Sequence, residues 1–310
     1  MDKKIAIFTA SYNHLDELKN AYDSLLKQEY KNFEWIIVDD NSPNKEIQKY
    51  IKKIASENKI AIKYVLKDAN NGKGSCFNEA IKIADTEYFL FSLDCDDEMT
   101  LDALKRINKV VEQNKDYDAY AFLRNNDSPL NLDKLQNISI KEAFARELTD
   151  NRDGIVFLIK TNIIKNYRFP IHKGECFTDE ITLFYQLDIK TYWTNIEIEK
   201  GEYHADGITK NVLKFVLNCP NTIYDVYKLR TLEHKIPLTQ FKSTIHFCRA
   251  AIQSRRNPFV CGKYNVMIFL LLPFGLLELI IKKIILWFKG WKTQIKTRLY
   301  QSLHHYLVFS

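Results

Sequence analysis

Glycine and proline are scarce, at nine and seven among 310 residues. That leaves no room for long low-complexity linkers and excludes a collagen-like repeat. The six cysteines (Cys76, Cys95, Cys176, Cys219, Cys248 and Cys261) contain no C-x-x-C pair and no framework spacing. They read as reduced thiols of a cytosolic chain, not as a disulfide scaffold. The opening MDKKIAIFTASYN has too short an apolar run for a secretory signal, and polar residues come at once behind it. There is no P-loop, and no glycine stands in Thr9-Ala10-Ser11-Tyr12-Asn13-His14 behind the first apolar run. A dinucleotide-binding fold needs G-x-G-x-x-G there, so that its backbone can approach a pyrophosphate. NAD and FAD are excluded on that ground.

Acid is missing from the last thirty residues. Ile281–Ser310 holds Lys282, Lys283, Lys289, Lys292, Lys296 and Arg298 and no Asp or Glu. The whole chain is +6 and so is this tail, so residues 1–280 sum to zero. A neutral body with a basic, apolar tail is unlike a nucleic-acid binder, and no nucleic-acid partner is expected.

The remainder is ordinary: 46% hydrophobic and 27% charged residues, which are globular values. The length suits one sizeable core with a smaller appendage. Apolar runs at Ile5–Phe8, Phe33–Val38, Ile60–Leu66 and Tyr88–Leu93 predict strands. Between them, Leu15 to Leu26, Ile47 to Ile54 and Ser75 to Ala84 carry helical spacing. Alternation of this kind predicts a mostly parallel sheet with helices on both faces. Ligands of such sheets sit beyond the carboxyl ends of the strands. Three polar clusters fall there: Thr9 to Asn13, Asp39-Asp40, and Asp94-Cys95-Asp96-Asp97. Further on, Leu101 to Val111 reads as a helix, Ile155–Ile159 as a strand, and the chain from about residue 212 as helical.

Three carboxylates within four residues repel one another unless solvated or neutralised. Their hard oxygens suit Mg²⁺ or Mn²⁺, ions that bridge carboxylates to substrate phosphates. The competing reading is an acidic helix N-terminus, with Met99-Thr100 opening the helix.

Taken in order, Thr9-Ala10-Ser11-Tyr12-Asn13, Ile36-Ile37-Val38-Asp39-Asp40-Asn41-Ser42, Asn71-x-x-Gly74 with Asn78, and Leu93-Asp94-Cys95-Asp96-Asp97 resemble the nucleotide-binding half of the GT-A glycosyltransferases of family 2. Asn41 stands where that family usually has glycine. The resemblance covers roughly residues 4–210. It implies a GT-A catalytic domain over 1–211, with a nucleotide half to about 100 and an acceptor half to 211. Residues 212–310 then form a helical region. It also implies roles: Asp39 accepting the uracil N3–H, Thr9 and Tyr12 lining the base pocket, and Gly72, Lys73 and Asn78 near the nucleotide or diphosphate. Asp94 would reach the ribose or a metal, and Asp96 the metal. An Asx turn is the alternative for Asp39.

Cys176-Phe177-Thr178-Asp179-Glu180, ahead of Ile181, Phe184 and Leu187, resembles the acidic pair that carries the family's general base. Asp179 is the first candidate and Glu180 the second; a plain helix cap is the alternative. Glu202 to Thr209 resembles the segment that closes over the diphosphate, so His204 could complete the metal shell. The implied activity is inverting transfer from a UDP-sugar (glucose, galactose or an N-acetyl form) to a glycan hydroxyl, with Mn²⁺ or Mg²⁺. The expected acceptor is bacterial, polyprenyl-diphosphate-linked or a lipooligosaccharide. A non-catalytic nucleotide-sugar or membrane adaptor on the same fold is the alternative.

Val266–Leu277 carries no charge but includes Pro273 and Gly275, and Glu278, Lys282 and Lys283 interrupt the apolar residues beyond it. A spanning helix needs about 20 apolar residues, so the stretch reads as a poor span. With the basic tail it suits peripheral or re-entrant attachment at the cytoplasmic face of the inner membrane. A core helix packed on the catalytic domain is the other reading.

Overall fold

The computed structural model describes residues 5–125, 129–149, 154–201 and 208–308, with backbone only for 208–212 and 288–308. The chain divides into two compact units: Met1–His204 with Glu233–Ile236, and Ala205–Leu232 with Pro237–Ser310.

The first unit is built on β1 (Ile5–Ser11), β2 (Phe33–Asp39), β3 (Ala61–Leu66), β4 (Tyr88–Phe91), β5 (Asp97–Met99), β6 (Ala119–Arg124), β7 (Ile155–Lys160) and β8 (Thr191–Gly201). They form one sheet in the order β3-β2-β1-β4-β7-β6-β8-β5. The first four strands in that order are parallel, and β6 is parallel to β8. β7 enters antiparallel to both neighbours, and β5 antiparallel to β8, so the whole sheet is mixed. The first four predicted strands thus pair as a parallel sheet, while β5, β6 and β8 carried no prediction.

β2 is buried at every position and β1 at all but one, as expected of parallel strands covered on both faces. Their cover includes α1 (Leu15–Leu26), α2 (Lys45–Ser56), α3 (Lys73–Ile83) and α4 (Ala103–Gln113). α1 buries Leu18, Ala21, Tyr22 and Leu25, and Tyr22 stacks on fully buried Trp35 at 6.0 Å. α2 buries Ile47, Ile51 and Ile54, one stripe at three- and four-residue spacing. Asn44 caps it by accepting from Glu46 N. The short helices α5 (Leu132–Leu135), α6 (Ile140–Ala145), α7 (Thr161–Ile164) and α8 (Ile181–Phe184) complete the unit.

Two boundaries differ from the prediction. β4 stops at Phe91 because Ser92 adopts φ +67°, and Leu93 N then donates to Phe8 O at 2.8 Å. The acidic run does not open a helix. Asp97–Met99 is a strand against β8, and α4 starts only at Ala103.

The second unit is helical: α9 (Ile208–Asn218), α10 (Pro220–Glu233, its last residue belonging to the first unit), α11 (Pro237–Ser254) and α12 (Asn265–Val308). α11 and α12 pack as a pair. Gly275 permits the approach, since a Cβ there would stand 2.6 Å from Arg249 N and from Cys248 Cβ. Pro273 lies inside α12 without ending it. Gly262–Trp287 is 26 residues long and apolar enough to cross a membrane by length and composition, and Glu278, Lys282 and Lys283 fall within it. Its acid, Glu278, is covered within the unit by His246 at 2.8 Å and by Arg249 and Lys282 at 3.4 Å.

Candidate active site

The polar clusters behind β1, β2 and β4 are tied to one another through hydrogen bonds. Asp40 N donates to Ser11 O, and Lys67 N to Asp39 O. Ser42 Oγ accepts from Asn13 N at 3.0 Å and donates to Asp39. Asn13 and Asn41 both take positive φ, a geometry Asn tolerates better than most residues.

Asp39 is fully buried, and its carboxylate accepts from Ser42 N, Ser42 Oγ and Gln48 Nε2. Thr9 is also fully buried: its hydroxyl donates to Leu93 O at 2.7 Å and accepts from Trp35 Nε1 at 2.8 Å. Both hydroxyl functions are therefore spent inside the sheet. Tyr12, by contrast, is 42% exposed.

Asp40 has a task the sequence did not reveal. It accepts from Asn71 N, Gly72 N and Lys67 Nζ, and so shapes the Asn70–Gly74 turn. Gly72 sits at φ +82°, with the Cys176 carbonyl occupying the place of a Cβ. Gly74 N donates to Thr178 Oγ1 at 2.9 Å, and a Cβ there would press on Thr178 and Phe169 at 2.8–2.9 Å. Asn78 exchanges two hydrogen bonds of 2.9 Å with the Phe169 backbone. Gly72, Gly74 and Asn78 thus lock the start of α3 onto the 169–178 segment.

That lock brings Lys73, Asp94 and Glu180 together. Lys73 Nζ lies 2.6 Å from Asp94 Oδ1 and 2.6 Å from Glu180 Oε1. Burial alone would lower the Lys73 ammonium, but the two carboxylates override it and hold it above its ordinary value. For Asp94, burial pushes the carboxyl up; Lys73 and the Ser92 hydroxyl outweigh that and hold it below the usual range. Burial wins at Glu180, which is raised despite Lys73, with the Asp94 charge adding to the rise.

The acidic run therefore divides. Asp94 faces Lys73. Asp97 is held by both Arg124 Nε and Nη2 at 2.6 Å, a bidentate pair, and burial still pushes its carboxyl up to about 6. Asp96 lines a recess of about 510 Å³ with Glu17, Asn20, Glu98 and Lys200. Arg124 escaped the sequence reading because nothing near it in the chain marks it; only the β6–β8–β5 pairing places it by Asp97. Glu199 on β8 is 1% exposed, with no hydrogen-bond partner on Oε1. Burial, then the Asp97 and Asp94 charges, raise it well above the ordinary carboxylate value.

The two acids ahead of α8 are not equivalent. Asp179 Oδ1 accepts from Ile181 N at 3.0 Å, and its carbonyl accepts from Thr182 Oγ1. That is capping geometry. Glu180 is the one that reaches Lys73. His204 lies outside the described residues. Among the described residues no group of three His, Cys, Asp or Glu side chains could hold a metal. Asp94 and Asp96 alone, two hard oxygen donors two residues apart, still fit an ion that takes its other ligands from phosphate and water.

Known proteins match this architecture. S. aureus TarS (residues 1–349, in complex with UDP-GlcNAc) superposes with a TM-score of 0.54 at 17% identity, over 86% of this chain and 78% of that one. The mannosyltransferase PcManGT of Pyrobaculum calidifontis, in complex with GDP-Man and Mn²⁺, gives 0.56 at 12% identity, over 90% and 88%. At such identities the likeness shows the shared fold. An uncharacterized glycosyltransferase of Methanocaldococcus jannaschii is 27% identical over 309 residues, which covers 96% of this chain and 98% of its own. The sequence profile of glycosyl transferase family 2 matches residues 6–174, more than half of the chain, and the protein belongs to that family.

Proposed function

We propose that this glycosyltransferase moves a sugar from a UDP-sugar to a hydroxyl of a glycan acceptor, with inversion at the anomeric carbon. The observation that carries this reading is the convergence of Asp94, from the end of β4, and Glu180, from the start of α8, on one ammonium. One acid belongs to the predicted nucleotide half and the other to the predicted acceptor half.

In this reading Glu180 takes the proton from the acceptor hydroxyl. The oxygen bonds to the anomeric carbon from the face opposite the diphosphate, whose bond to that carbon breaks. Glu180 is preferred over Asp179 because Asp179 is engaged as a cap. The exposed ring of Tyr12 offers a stacking face for the base. Asp39, fixed by three donors, has a lone pair of Oδ1 left for an imide N–H. Lys73 counters diphosphate charge. Asp94 and Asp96 would hold Mn²⁺ or Mg²⁺, which when bound supplies charge stabilisation to the leaving diphosphate.

The acceptor is lipid-linked in this proposal, met at the cytosolic face of a membrane. Support comes from α12, where Val266, Phe269, Leu270, Phe274 and Trp287 are each more than half exposed. A helix of that composition gains free energy by entering an interface.

The test is a panel of nucleotide sugars with Mn²⁺, read by thermal shift and by release of nucleoside diphosphate in the presence of lipid-linked acceptors. UDP-sugars should stabilise the protein and turn over, and Asp96→Ala should abolish turnover. A nucleotide sugar that shifts the melt but is never consumed would leave the nucleotide-sugar adaptor in its place, and no shift with any of them would leave the membrane adaptor.

A further inference from the structure

We propose that Lys73 is a clamp on the base that the donor itself displaces. The inference rests on the function proposed above and adds to it a coupling between donor binding and release of Glu180. The Lys73 ammonium spends two contacts on Asp94 Oδ1 and Glu180 Oε1, each at 2.6 Å. Glu180 Oε1 and Asp94 Oδ1 therefore each face a cation already, which competes with a proton at the first acid and a metal at the second.

The backbone around this clamp is fixed, so the side chain is the part that can move. Gly72 packs on the Cys176 carbonyl, Gly74 N is held by Thr178, and Asn78 grips Phe169 at both backbone groups. Lys73 itself keeps 25% of its side chain exposed on a flexible four-carbon stem. Four of the amides nearby are already used. Gly72 N goes to Asp40, Gly74 N to Thr178, and Ser75 N and Cys76 N both to Gly72 O. The start of α3 therefore offers a diphosphate this ammonium in place of those amides.

A diphosphate carries about as much negative charge as the two carboxylates together, and a cation arriving at Asp94 offsets the charge that the ammonium leaves behind. When Nζ turns to the diphosphate, Glu180 Oε1 becomes available to the acceptor hydroxyl and Asp94 to a cation. The base is thus exposed only when there is a donor to attack. Coupling of this kind is reciprocal: whatever loosens Lys73 from Glu180 must tighten donor binding.

The reciprocity supplies the test. UDP is titrated calorimetrically into the full-length protein, in EDTA and again with saturating Mn²⁺. Glu180→Gln should bind UDP tighter by about three- to tenfold, a coupling of ordinary size. Asp179→Asn should match wild type, although it also sits beside the site. Lys73→Gln should weaken UDP by about tenfold, the loss expected for a charge-assisted contact. In the Lys73→Gln background, Glu180→Gln should no longer tighten binding. Unchanged or weaker UDP binding by Glu180→Gln, in a protein that melts like wild type, overturns the clamp. So does tightening that persists without Lys73, because it would then be bulk charge and not release of this side chain. If wild type binds no nucleoside diphosphate in either condition, the function proposed above is what fails.

Discussion

At the carboxyl ends of β2 and β4 and at the start of β5, Asp39, Asp40, Asp94 and Asp97 each have donors supplied by the protein. Along α12, Val266, Phe269, Leu270 and Phe274 stay largely uncovered, and only 22% of the apolar stretch is buried. The first region neutralises itself. Uncompensated charges at partly buried sites cost several kcal/mol each, so Lys67, Lys73 and Arg124 act as internal counterions. The second region leaves apolar area in water at about 25 cal/mol per Å². A charged site can thus be prepared and kept stable by partners that later step aside, whereas an apolar face has no such substitute and implies a surface that covers it.

The largest effect that could break this comparison lies at the two acids. Glu180→Gln should slow transfer by about 10²–10⁴, the usual worth of a general base. Asp179→Asn keeps a capping oxygen, since Asn caps a helix about as well as Asp, and should leave stability near wild type with a modest rate change. Steady-state kinetics on both variants decide. The reverse pattern would make Asp179 the base and Glu180 its charged neighbour.

Next in size is the lock beneath the clamp. Gly72→Ala places a Cβ on the Cys176 carbonyl and forces a non-glycine residue to φ +82°. Strain of that kind costs about 1–3 kcal/mol before the clash is added. The melting temperature should fall by several degrees, with donor affinity falling too because Lys73 loses its place. A variant as stable as wild type would mean that the 72–74 turn and the 176–178 segment are not interlocked.

The apolar side of the comparison gives a graded test. Phe269→Ser with Phe274→Ser removes two exposed rings from α12. Partition onto vesicles containing anionic lipid should drop by roughly tenfold or more, judged from the apolar area lost. Melting of the sheet unit should stay where it was. Unchanged vesicle binding would assign the attachment to the basic tail alone, and no binding by the wild type would rule out a membrane as the covering surface.

The first half of the sheet was legible because each parallel strand there is a continuous apolar run with a polar stop behind it. Ile5–Phe8 and Phe33–Val38 need no tertiary context to be read. β6 and β8 were harder to see: β6 interleaves alanine, a weak strand former, with its larger residues, and β8 alternates only partly through Thr191–Gly201. Within the site, the acids were visible as clusters, but their partners were not. Lys73 meets Glu180 across 107 residues, and Arg124 meets Asp97 across 27. Asn78 looked like a nucleotide contact because of its position in a motif, and its side chain spends itself on the Phe169 backbone. Spacing in a sequence can show that charges gather, but the choice between ligand and internal partner depends on how the segments cross.

Glu199 stands between the two kinds of region: it is an acid at the crevice side of β8, buried like a core residue, and its Oε1 has no hydrogen-bond partner. Burial and the charges of Asp97 and Asp94 raise it well above the ordinary value of 4.5. The folded protein therefore keeps a proton that the unfolded chain releases. Its contribution to stability is fully present below pH 4.5 and is lost as pH rises toward the raised value. Glu199→Gln keeps the shape and the neutral state but cannot ionise. The variant should melt close to wild type in acid and gain on it as pH rises above 4.5, an effect read as the difference between two melting curves across pH. Parallel curves would mean that Glu199 is ionised in the folded protein, and that the crevice neutralises this acid as it does the others.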